Sequence, residues 1–66
     1  MENKKEEILD WLKKLKRVPT SRFTGLLNLD YKYVKKLLKE LEEENKIIKE
    51  VETNSTYWRL KEWYKQ

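Results

Sequence analysis

Apolar side chains recur along this chain with two different periods, and the change of period divides it into a helical part and an extended part. Within residues 3–17, Ile8, Leu12 and Leu15 fall at i, i+4 and i+7, with Leu9 and Trp11 at the edges of the same face. That spacing predicts one amphipathic helix over 3–17. Asn3 followed by Glu6 has the form of a capping box at its start. Acids lead (Glu2, Glu6, Glu7) and bases close (Lys13, Lys14, Lys16, Arg17), as the helix macrodipole favours. Pro19 is expected to end the helix, because the residue before a proline is driven out of helical geometry.

Thr20 or Ser21 is placed to cap a second, short helix over 21–27, with Phe23, Leu26 and Leu27 on its apolar face. Asn28 and Leu29 then form a tight turn, and Asp30 caps a third helix over 31–44. Val34, Leu37, Leu38 and Leu41 make the buried stripe of that helix. Asn45 tolerates the left-handed conformation and supplies the stop. Beyond it the period falls to two. Residues 47–51, β-branched at both ends, read as a strand, Thr53, Asn54 and Ser55 as a turn, and residues 56–60 as a second strand. Trp58 and Leu60 should face the core while Tyr57 and Arg59 face outward. A short tail, 61–66, carries Trp63 and Tyr64, which can pair with Leu60 on one turn of helix. The expected fold is mainly α with a small β-hairpin, an α+β arrangement in one domain across 1–66.

Composition removes whole classes of function. The 66 residues include no cysteine and no histidine, so no disulfide and none of the common zinc sets is expected. The usual general base and the best protein nucleophile are missing too. One glycine cannot build a phosphate-cradling loop. The carboxylates sit among lysines on helix surfaces, where solvated charge is the ordinary role. Neither catalysis, cofactor nor small-molecule ligand is expected. No apolar run exceeds two residues, so no membrane span is expected, and the location implied is cytoplasmic, at the nucleoid if the source is prokaryotic. Asn54-Ser55-Thr56 matches a glycosylation sequon but reads as a polar turn. Abundant Lys and Glu with no alanine fit an AT-rich, thermophilic genome.

Net charge is +4, and its distribution says more than its size. From Lys13 to Lys39 there are nine basic residues against one acid, Asp30, whereas from Glu40 to Glu52 there are six acids against two lysines. Such a split presents a positive face to a polyanion.

The order helix, helix, tight turn, helix, hairpin over residues 19–60 resembles a winged helix-turn-helix domain. The motif residues are Thr20-Ser21-Arg22-Phe23, the run from Leu26 through Asp30 and Val34 to Leu41, and Tyr57-Trp58-Arg59-Leu60. Asn45 stands where a glycine is usual. The resemblance implies that the third helix is a recognition helix lying in the major groove of DNA, with the hairpin as a wing on the backbone. It further implies a small transcriptional regulator acting on double-stranded DNA. Winged helices that bind left-handed duplexes use an Asn and a Tyr that would fall on Lys35 and Lys39, and a Pro-Pro wing absent here.

Lys32, Lys35, Lys36 and Lys39 fall at i, i+3, i+4 and i+7, nearly opposite the buried stripe, with Tyr31 and Tyr33 flanking. Any soluble amphipathic helix shows Leu/Lys alternation, so period alone does not separate a binding face from a solvated one. Charge order does. Lys32 lies in the first turn and Glu42, Glu43 and Glu44 in the last, each placement costing roughly 0.3–1 kcal/mol against the macrodipole. A helix charged only for stability would reverse this order. The wing tip, Thr53 to Thr56, has no base, so Arg59 with Tyr57 is the expected wing contact, and Arg22 on the second helix the expected phosphate contact. With no Asn or Gln on the lysine stripe to read adenine, sequence specificity is expected to be modest. Leu9 and Trp11, with Trp63 and Tyr64 from the tail, are expected to pair two copies as a homodimer. The alternative from another class is a winged helix used for protein–protein interaction within a larger assembly, for example in replication. Those same aromatic residues would then meet the partner, with Glu42 to Glu44 as a second docking surface.

Overall fold

A computed structural model describes residues 3–61. Its elements in chain order are α1 (Lys4–Leu15), β1 (Val18–Pro19), α2 (Thr20–Leu27), α3 (Tyr31–Glu43), β2 (Ile47–Glu52) and β3 (Ser55–Leu60). The architecture is the expected α+β one, with a sheet of three strands rather than two.

Local signals set most of the boundaries. Asn3 caps α1, its Oδ1 accepting from the Lys5 and Glu6 amides at 3.1 and 3.4 Å. Asp30 caps α3, accepting from the Tyr33 amide at 3.0 Å. Between α2 and α3, Asn28 adopts φ 58°, and its N–H and that of Leu29 both return to the Thr24 carbonyl. That left-handed residue makes the turn tight. At the far end of α3, Asn45 has φ 65° and donates to the Glu42 carbonyl at 3.0 Å, while Lys46 donates to Leu41 at 3.1 Å. The pair is a Schellman stop, with Asn45 in the role glycine usually fills.

Three expectations are corrected. The first helix ends at Leu15 and not at 17, because Lys16 swings to φ 71° while its N–H donates to the Leu12 carbonyl. The turn therefore precedes Pro19 and does not depend on it. Leu15, at the last position of α1, is 40% exposed and outside the buried stripe. Val18 and Pro19, where no strand was expected, pair antiparallel with Trp58 and Tyr57 as an edge strand. Proline tolerates such an edge and holds the preceding residue extended. Finally, neither Thr20 nor Ser21 caps α2. Pro19 occupies the cap position without a side-chain bond, and Thr20 is the helix's first residue, buried.

The sheet order is β1-β3-β2, all antiparallel. Ile8 and Leu12 of α1, Phe23 and Leu27 of α2, and Val34, Leu37, Leu38 and Leu41 of α3 meet Val18, Ile47, Trp58 and Leu60 of the sheet in one core. Burying each such side chain contributes about 1.5–3 kcal/mol, which in so short a chain must carry the fold. Trp58 and Leu60 point inward and Tyr57 and Arg59 outward, as the alternation requires. Among the described residues no helix is long and apolar enough to cross a membrane.

Candidate nucleic-acid interface

The buried stripe of α3 fixes what its other side offers. Lys32, Lys35, Lys36 and Lys39 are all exposed, with Tyr31 53% and Tyr33 44% exposed beside them. The four lysines form two rows. Lys35 and Lys39 line a cleft that separates α3 from the hairpin, whereas Lys32 and Lys36 flank Tyr33 and Asp30 on the far side. Lys35 Nζ stands 5.8 Å from the Tyr31 ring centre, a loose cation–π contact that leaves the ammonium open to solvent.

Across the cleft, the facing wall is the inner side of the hairpin. Its ladder pairs Ile47 with Leu60, Lys49 with Trp58 and Val51 with Thr56, so these six share one face. Ile47, Leu60 and Trp58 are buried, whereas on the edge strand β2 Lys49 is exposed and Val51 is 72% exposed. Lys49 thereby meets Lys35 and Lys39 over a cleft whose lining also includes Thr20, Tyr31, Glu42, Thr56 and Trp58. Sequence reasoning missed Lys49. The available signal was a lysine at a core-facing position of the strand alternation.

Thr20 holds this wall in place. Its hydroxyl accepts from Trp58 Nε1 at 2.7 Å and donates to the Thr56 carbonyl at 3.3 Å, tying the first turn of α2 to β3.

Tyr57 and Arg59, the expected wing contacts, lie on the opposite face of the sheet from the lysines. Arg59 Nε is 3.2 Å from Glu50 Oε1, and Arg17 Nε is 3.3 Å from the same oxygen. Arg17 also pairs through Nη2 with Glu52, and its guanidinium lies 4.0 Å from the Tyr57 ring centre. The fold does not bring this cluster together with the α3 lysines. Arg22 is exposed on α2, outside the cleft.

Two acids near the end of α3, Glu40 and the cap residue Glu44, look the other way, toward α1, whereas Glu42 stays at the lysine cleft. Lys5 Nζ contacts Glu40 Oε1 at 3.0 Å and Glu44 Oε2 at 2.7 Å, and Lys46 approaches Glu44 at 3.5 Å. The hydrogen bond from Lys5 holds the Glu44 carboxyl below its ordinary range, and the bonds that Lys5 donates to Glu44 and Glu40 hold its ammonium above its own. Leu9 and Trp11 are half-buried against the chain's own core, and Lys14 Nζ sits 5.2 Å from the Trp11 ring centre. Trp63 and Tyr64 lie outside the described residues.

Among the described residues, no group of three or more carboxylates is placed to hold a metal ion. No protein-family model matches the chain, and no curated protein matches it either.

Proposed function

We propose that this chain is a winged-helix module that binds double-stranded DNA, most simply as a small transcriptional regulator without catalytic activity. On this reading α3 enters the major groove with Lys32, Lys35, Lys36 and Lys39. The cleft beside it takes the sugar–phosphate backbone between Lys35 and Lys39 on one side and Lys49 on the other. Arg22 meets phosphate at the edge. The observation that carries the reading is the sorting of charge on one helix. Lys35 and Lys39 of α3 share a cleft with Lys49, Lys32 and Lys36 are exposed beside them, and Glu40 and Glu44 are engaged by Lys5 toward α1. The hydroxyls of Thr56 and Tyr31 at the cleft add donors suited to phosphate oxygens.

Lys32→Glu tests the reading because it separates stability from binding. An acid in the first turn of α3 agrees with the macrodipole by about 0.3–1 kcal/mol, so the melting temperature should hold or rise by roughly 1–8 °C. Affinity for duplex DNA in a mobility-shift assay should fall about tenfold or more, through a lost phosphate contact and an added repulsive charge. Unchanged DNA affinity would move the function to a protein partner, for which Leu15, 40% exposed beside the half-buried Leu9 and Trp11, offers a surface.

A further inference from the structure

The cluster on the outer face of the sheet calls for its own explanation, because it places two arginines where neither reaches the lysine cleft. Arg17 immediately precedes β1, one edge of the sheet. Its guanidinium lies over Tyr57 on the central strand β3 and reaches Glu50 and Glu52 on the opposite edge, β2. One side chain therefore spans all three strands. β1 itself is only two residues long and covers only Trp58 and Tyr57. Beyond that point the wing is a bare two-stranded ribbon, a form with little stability of its own.

We propose that Arg17 is a positioning residue for the wing: it clamps the outer face of β2 and so holds Lys49 on the inner face opposite Lys35 and Lys39. The clamp works together with Thr20, which pins β3 from the inner side. The Nε atoms of Arg17 and Arg59 are both shielded from solvent and both approach Glu50 Oε1, at 3.3 and 3.2 Å. Glu50 thus also neutralises two cations that would otherwise repel each other across the sheet. Lysine could not replace arginine here, since stacking on Tyr57 while pairing with two carboxylates needs a flat, forked group. The inference rests on the DNA-binding reading for its consequence, and on the free protein for its geometry.

The test compares the parent with Arg17→Gln by amide hydrogen exchange without DNA, then by duplex binding across a salt series. In the variant, amides of residues 49–57 should exchange about fivefold faster, while those of Leu37 and Leu38 keep their protection. DNA affinity should fall by a similar factor with the salt slope unchanged, because Arg17 neutralises no phosphate. Glu52→Gln added to Arg17→Gln should loosen the wing no further, since both remove one contact. A salt slope reduced by about 0.9 would overturn the proposal and make Arg17 a direct phosphate contact. Unaltered wing exchange would overturn it as well. If Arg17→Gln does not fold, the Glu50→Gln/Glu52→Gln pair breaks the same clamp from the other end, and unaltered wing exchange in it overturns the proposal. Should the parent fail to bind DNA, the functional reading falls, and the exchange comparison still decides whether the clamp exists.

Discussion

The Thr20 hydroxyl accepts from one group of β3 and donates to another, so a single oxygen joins α2 to the wing. Thr20→Val keeps the shape and removes both bonds, leaving the Trp58 indole N–H buried without a partner. Such a loss costs about 1–3 kcal/mol. Thermal unfolding should show the melting temperature down by roughly 5–15 °C. Ser21→Ala, one residue on and exposed, should shift it little, although both residues look like helix caps in the sequence. An equal effect at the two positions would return Thr20 to the part of an ordinary first-turn residue. The two sites differ in a way no local pattern reveals, because the partners of Thr20 lie 36 and 38 positions away. Lys49 was hidden for a related reason. Alternation assigns it to the core side of β2, and only the place of β2 at the edge of the sheet leaves Lys49 exposed while its partner Trp58 on the central strand is buried. The lysines of α3 needed no such knowledge, since helical period and the apolar stripe place them unaided.

At the scale of elements, the third helix and its flanking turns were legible because each is fixed by short-range chemistry: Asn28, Asp30 and Asn45 act within a few residues. The two-residue β1 was not, for it exists through pairing with β3 and has no period of its own. The docking of α1 on α3 was likewise silent in the sequence. It explains part of the unusual charge order of α3, since Glu40 and Glu44 answer Lys5 across the helix pair. This contact gives stability a pH dependence of definite sign. The Glu44 carboxyl is held below its usual range in the folded state, so its contribution is complete above the ordinary carboxylate range and is lost as pH falls toward its folded value. The Lys5 ammonium is held above its usual range, so its contribution persists through neutral pH and disappears only in strong alkali. Lys5→Met should therefore lower the melting temperature at neutral pH and converge on the parent as the solution is acidified. A constant gap between the two across the acid range would show that the Lys5 contact contributes packing and not charge.

For the whole molecule, the sheet acts as a partition between two populations of basic residues. Lys49 lies on its inner side with Lys35 and Lys39, whereas Arg17 and Arg59 lie on its outer side with Glu50 and Glu52. Net charge of +4 cannot tell which side meets a polyanion, and the alternation of β3 alone made Arg59 look like the better wing contact. Counterion release can tell them apart. If Lys32, Lys35, Lys36, Lys39, Lys49 and Arg22 each neutralise a phosphate, log K should fall with log[salt] at a slope near about −5, from roughly −0.9 per contact. Lys49→Gln removes one of these contacts, so the slope should become shallower by about 0.9. Arg59→Gln removes an equal charge within a few residues of the same hairpin, yet the slope should stay at the parent value, because that guanidinium faces Glu50 on the far side of the sheet. Net charge, and with it any diffuse long-range attraction, changes identically in the two variants. Only the face differs. If Arg59→Gln flattens the slope and Lys49→Gln leaves it alone, the duplex lies on the outer side of the wing, and the cleft beside α3 is not where the backbone runs.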